Sequence, residues 1–208
     1  MGLERWDKNR HQYLMYQSSE QHSTDCDRFP FESIPRRVFL DTNVINLLVK
    51  HSTHVFERAP IPADTEPTLS TDIEALMHVF HVGARAGWDL LASEKTLDEL
   101  SRTSNVTLRQ DLLEYAVGFV NRDIDDEDRW FAVDFARRLN NSRFTAALPD
   151  VSDRELIGNA IGLGCDSFCT CDRSTIVNKR SQLRQVTLKI LTPAEWWAQL
   201  KPWAGLWC

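Results

Sequence analysis

The run Arg37-Val38-Phe39-Leu40 ends abruptly at Asp41-Thr42-Asn43, after which Val44, Ile45, Leu47 and Leu48 recur at near-helical spacing. A buried strand leading straight into a helix fits that pattern, with Asp41, Thr42 or Asn43 as the helix cap. Residues 52–70 contain Pro60, Pro62 and Pro67 and read as a loop. Ser70-Thr71-Asp72 then offers capping groups to a helix whose Ile73, Leu76, Met77, Phe80 and Ala84 share one face and which Gly87 stops. Trp88 to Ala92 is a second buried strand, and Ser93 caps a helix through Leu97 and Leu100 that carries Glu99.

The stretch 106–147 predicts two further helices, VTLRQDLLEYAVGFV and DEDRWFAVDFARRL, joined by the acidic run Asp123 to Asp128. That run reads as a solvated turn and helix start, where negative charge suits the helix dipole. Asp153 opens RELIGNAIGLG, with Leu156, Ile157, Ala160, Ile161 and Leu163 on an apolar face and Gly164 as its C-terminal cap. Asp166 to Cys171 is a third strand ending at Asp172, and Gln185 to Leu191 a fourth. A final helix starts at Thr192-Pro193-Ala194-Glu195, with Thr192 as cap, Pro193 in the first turn, and Trp196, Trp197 and Leu200 for packing. Residues 1–36 are rich in Gln, Ser, His and charge, lack periodicity, and read as a flexible N-terminal extension to one domain spanning 37–208.

Helices alternating with apolar strands predict an α/β fold whose parallel sheet is covered on both faces. Sites in such sheets lie beyond the carboxyl ends of the strands. Four acids fall near such positions: Asp41, Glu99, Asp153 and Asp172. Each has a plainer reading: Asp41 and Asp153 as helix caps, Glu99 as a solvated residue paired with Lys95, Asp172 as a turn former. Glu94 and Asp98 compete with Glu99, because spacing alone does not choose among three acids on one short helix. Gathered carboxylates repel by about 3–4 kcal/mol per close pair at an effective dielectric near 20, so convergence implies a cation. Hard oxygen ligands without a His or Cys set suit Mg²⁺ or Mn²⁺, and the matching chemistry is phosphodiester hydrolysis.

Charge and cysteine usage narrow the setting. A net charge of −6 argues against broad, nonspecific adhesion to nucleic acid, though not against a local basic groove. Arg173, Lys179, Arg180 and Arg184 follow the last acid and form a candidate phosphate track. Trp196, Trp197, Trp203 and Trp207 are candidates for base stacking, with packing the stronger expectation. Five cysteines without an export signal predict reduced thiols and a cytoplasmic protein, with Cys169 and Cys171 packed in a strand. His78 and His81 read as helix residues, not a metal pair, and no apolar stretch reaches membrane-spanning length.

In the order and spacing of DTNVI, the Glu99 helix, DRELIGNAIGLGCD and TCD, residues 38–200 resemble the PIN-domain nuclease family. The resemblance implies a three-layer α/β/α fold with helical insertions and a Mg²⁺- or Mn²⁺-dependent ribonuclease. Asp41, Glu99, Asp153 and Asp172 would bind the metal, Thr42 and Asn43 would orient the first acid, and Thr170 would supply the hydroxyl before the last. Many bacterial relatives are toxins, so the implied partners are RNA and an antitoxin protein, with a homodimer compatible. The extension at 1–36, the loop at 52–70 and the helices at 106–147 depart from the compact bacterial pattern, and a free-standing nuclease stands beside the toxin. Two alternatives remain open: an inactive PIN-like RNA-binding or protein-interaction module, and a haloacid-dehalogenase-like phosphatase. The phosphatase needs a second acid where Asn43 stands.

Overall fold

The computed structural model describes residues 5–7, 12–14, 16, 18–120, 124–183 and 186–204. A short antiparallel ribbon, β1 (Arg5–Asp7) and β2 (Gln12–Leu14), precedes helix α1 (Ser19–Arg28), whose cap Ser18 accepts from the Gln21 amide. The stretch expected to be an extension thus holds a helix. That helix has no buried residue and hence no apolar period to read. It is held by distant contacts: a ring nitrogen of His22 meets the Pro202 carbonyl at 3.0 Å, and Trp203 Nε1 donates to the Phe29 carbonyl at 2.7 Å.

The first strand of the main sheet, β3 (Arg37–Leu40), runs directly into α2 (Thr42–Lys50). The supposed loop 52–70 contains α3 (Ser52–Phe56), and α4 (Pro67–Ala86) begins inside it. Pro67 occupies the first turn, where its missing N–H costs nothing, while the Glu66 carboxylate accepts from the Thr68 and Leu69 amides. Asp72, expected near the cap, is instead one turn inside and buried. Gly87 ends α4 with φ of 63°, a left-handed conformation that favours glycine.

Then follow β4 (Asp89–Leu91), α5 (Glu94–Ser101), α6 (Val106–Val120) and α7 (Asp126–Asn140). Asp125 caps α7 by accepting from the Asp128 amide at 2.8 Å; Asp126, Glu127 and Asp128 fill its first turn, and Asp123 lies outside the described residues. The remaining elements are α8 (Val151–Gly162), β5 (Ser167–Cys169), a 3-10 helix (Val177–Gln182), β6 (Lys189–Leu191) and α9 (Pro193–Leu200). The last strand is shorter than expected, and Gln185 lies outside the described residues. Thr192 and Glu195 close a reciprocal capping box on α9, as the sequence TPAE predicts.

The main sheet is all parallel, in the order β4-β3-β5-β6. Its side chains alternate between two cores. Val38, Leu40, Leu90, Cys169 and Leu191 meet α2, α4, α6 and α9 on one face. Phe39, Leu91, Phe168 and Ile190 meet α8 and part of α7 on the other, with Phe39 and Phe168 stacked at 5.5 Å. Trp196 and Trp197 are fully buried in the first core, so they are packing residues and not base-stacking platforms. Trp203 packs edge-on against Phe31, and Trp207 lies outside the described residues. Helices α7 and α8 approach closely because Gly158 and Gly162 lie against Ala136 and Ala132, where an added Cβ would come within 2.6 and 2.5 Å of backbone. No helix among the described residues is long and apolar enough to cross a membrane.

Candidate active site

Strand β3 pairs with β4 on one side and β5 on the other, so the order of the sheet reverses at β3, and sites in open parallel sheets lie beyond the strand ends at such a reversal. Asp41 follows β3 there. It occupies the cap position of α2, yet its side chain makes no capping bond. Instead its Oδ2 accepts from Thr170 Oγ1 at 2.6 Å and from Asn43 Nδ2 at 2.6 Å. Asn43 also donates to Thr170 Oγ1 at 3.1 Å and accepts from the Cys171 amide at 2.8 Å, tying the ends of β3 and β5 together. A first turn of a helix thereby becomes a clamp across two strands.

Asp172 lies in the turn beyond β5. Its Oδ1 accepts from Ser174 Oγ and the Thr175 amide, and its Oδ2 from Thr175 Oγ1 at 2.6 Å. The same Thr175 hydroxyl lies 3.2 Å from Asp153 Oδ2, so one side chain joins the two acids. Asp153 does not open its helix: Asp150 caps α8 by accepting from the Ser152 amide, which leaves the Asp153 carboxylate in the first turn for other work. Thr175 was not singled out in the sequence, although D-R-S-T after a strand has the form of an Asx turn.

Of the three acids on α5, Glu99 faces the first turn of α2. Thr42 Oγ1 donates to its Oε2 at 2.5 Å, and its Oε1 is buried without a hydrogen-bond partner. Asp98 pairs with Arg102 at 2.6 Å on the outside of the helix, and Glu94 is exposed. Lys95 does not neutralise Glu99; its ammonium pairs with Glu155 of α8 at 3.0 Å. Asn159 Nδ2 adds a bond to Ser93 Oγ, so α5 is held against α8 at two points.

The electrostatics follow from this crowding. Burial pushes the Asp41 carboxyl up to about 7; Asp153 and Glu99 add to the rise, and the bond from Thr170 opposes it. Burial likewise lifts Asp153 to about 6, opposed by Thr175 and helped by Asp150, Asp172 and Glu99. For Asp172 burial also works against the charge, but the bonds from Thr175 and Ser174 outweigh it and hold the carboxyl below its ordinary value. Among the described residues, none of the four acids forms an ion pair. A cation would relieve both the mutual repulsion and the unpartnered Glu99 oxygen. No three His, Cys, Asp or Glu side chains among the described residues are arranged to hold an ion on their own. The expected cluster of four metal-holding acids is thus not closed here, and the side chains nearest to forming it are oxygen donors only.

The proposed phosphate track is largely consumed by structure. Arg173 forms a fork with the buried Asp72 of α4, at 2.8 and 2.9 Å, which anchors the loop beside Asp172. Arg180 forms another with Glu195, at 2.6 and 2.7 Å. Lys179, on the 3-10 helix, makes no ion pair among the described residues, and Arg184 lies outside them. Asp72 and Glu195 are far in sequence from the arginines they bind, which is why the basic run reads as available. Buried Cys169 and half-buried Cys171 are free thiols, and burial pushes Cys169 well above its ordinary value. His78 is buried and stacks on Trp197 at 4.9 Å, as a packed histidine does. Comparison with protein-family models, with curated proteins and with solved structures finds no match.

Proposed function

We propose that this protein is a Mg²⁺- or Mn²⁺-dependent ribonuclease of PIN-like design that hydrolyses RNA phosphodiester bonds. The reading is supported by one observation: near the reversal of a parallel sheet, Asp41, Glu99, Asp153 and Asp172 lie near enough that Asp153 and Glu99 raise the Asp41 carboxyl and Asp172 and Glu99 that of Asp153, and none has a cationic partner among the described residues. Asp41, Glu99, Asp153 and Asp172 would hold the metal. When bound, it would lower the pKa of the attacking water and offset charge on the scissile phosphate.

The chain's own groups supply orientation. Thr170 and Asn43 fix Asp41 Oδ2, Thr175 fixes Asp172 and Asp153 together, and Thr42 fixes Glu99 from the helix that follows Asp41. The phosphatase alternative is disfavoured because position 43 carries an amide already engaged with Asp41, Thr170 and Cys171. A second reading, an inactive RNA-binding or protein-interaction module, draws on the lack of a closed group of three ligands among the described residues.

Cleavage of single-stranded RNA with Mn²⁺ titrated, using wild type, Asp41→Asn and Asp172→Asn, separates these readings. The nuclease predicts metal-dependent cleavage that chelator and either substitution abolish. Cleavage unchanged by both would sink the carboxylate mechanism. RNA binding without cleavage at any metal concentration would favour the module.

A further inference from the structure

A cleft of about 530 Å³ lies between α1 and the corner where β6 enters α9. Arg28, Arg180, Lys189 and Lys201 line it against Asp25 and Glu195; four cations against two carboxylates leave +2, in a chain whose net charge is −6. The Arg180 fork neutralises Glu195, whereas Asp25 accepts from the Tyr16 hydroxyl at 2.9 Å and keeps its charge. The Arg28 guanidinium lies 5.1 Å from the Phe29 ring centre, and Lys189 Nζ donates to the Ser33 carbonyl at 2.7 Å. Neither a ring nor a carbonyl neutralises a cation, and Asp25 offsets one positive charge of the cleft, so the lining keeps its net positive charge.

The rest of the lining is apolar, from Phe29, Ile190, Leu191 and Ala198. A concave site of a few hundred cubic ångströms with an apolar wall and convergent cations matches a nucleotide, whose base needs a flat apolar surface and whose phosphate needs positive charge. Arg180 donates to the Ile190 carbonyl of the edge strand β6, and the Glu195 that it grips lies in the first turn of α9, past the carboxyl end of that strand.

We propose that this cleft binds one nucleotide unit, with its phosphate on Arg28 and Lys189 and its base against Phe29, and that it holds an RNA strand beyond the cleaved bond. The binding itself follows from the lining; its place on an RNA substrate rests on the ribonuclease reading. Helix α1 supplies Asp25 and Arg28, with Phe29 next to its end, so the N-terminal stretch contributes one wall of the site.

The test uses the full chain and the exposed-residue variants Arg28→Glu, Lys189→Glu and the double variant, each first checked for an unchanged melting transition. A fluorescein-labelled single-stranded RNA and adenosine monophosphate are titrated in chelator at several salt concentrations. Each substitution should weaken RNA binding about 10-fold and lower the log–log salt slope by about one, because each removes a phosphate contact. In cleavage, KM should rise while kcat at saturating RNA is unchanged. Adenosine monophosphate should displace RNA from wild type. If the nucleotide binds but neither competes with RNA nor changes KM, the cleft takes free nucleotide and the RNA placement falls. If the double variant binds both probes as wild type does, the site is refuted. Loss of RNA binding in the variants, with no cleavage by wild type, would keep the cleft and remove the nuclease.

Discussion

Replacing Asp41 with Asn removes a charge while keeping an acceptor for Thr170 and Asn43, because both bonds end on Oδ2, where an amide oxygen can sit. Burial, aided by Asp153 and Glu99, lifts this carboxyl from 3.8 to about 7. The sign follows from linkage: a raised folded-state pKa means the folded protein binds the extra proton between those two values. Metal-free wild type therefore keeps this stability below pH 4 and loses it as pH rises to 7, by about 1.4 kcal/mol per pH unit, or on the order of 4 kcal/mol in all. The Asn variant has no such dependence. From pH 5 to pH 8 the advantage of Asp41→Asn over wild type should widen by roughly 2–3 kcal/mol, or about 5–10 °C in Tm for a domain of this size. Thermal unfolding of both proteins in chelator at the two pH values measures it, and added Mn²⁺ at pH 8 should raise wild type but not the variant. Parallel Tm curves across that range would show that Asp41 is not held ionised against its surroundings, and the case for a charge-compensating cation would fail with it.

Three further outcomes test the scaffold around the site. Gly158→Ala drives a Cβ to 2.6 Å from the Ala136 backbone and should destabilise by about 1–3 kcal/mol in urea unfolding; Gly118→Ala, which meets nothing within 4 Å on α6, should stabilise by about 0.5–1 kcal/mol. Arg173→Ala leaves buried Asp72 without its partner; with the arginine side chain 37% exposed, the loss should be about 2 kcal/mol, and Asp72→Asn in the same background should recover part of it. Thr175→Val removes the hydroxyl that opposes the rise of Asp153 and helps to hold Asp172 low, so the acidic limb of the cleavage pH profile should move to higher pH; an unmoved limb would show that neither acid governs it.

Local chemistry made several elements legible. The TPAE capping box, the left-handed Gly87 and the strand-to-helix passage at Asp41 involve partners within one or two turns, so residue types and spacing suffice. The same reasoning failed at Pro67, where three prolines read as a loop although proline suits a first helical turn. It failed at α1 for the opposite reason: a short polar helix carries no periodic signal when its support comes from Pro202 and Trp203 at the other end of the chain.

The site divides along the same line. From the sequence alone came the alternating strands and helices, and with them the carboxyl edge as the place for Asp41, Asp153 and Asp172. Only the tertiary structure chose Glu99 over Glu94 and Asp98, by aiming one of three acids at Thr42. Only it committed Arg173 to Asp72 and Arg180 to Glu195, gave Thr175 its place between two acids, and closed a basic cleft with α1. The reason is physical: a cap or a turn is decided by neighbours along the chain, whereas the direction and charge of a side chain depend on which distant element packs against it.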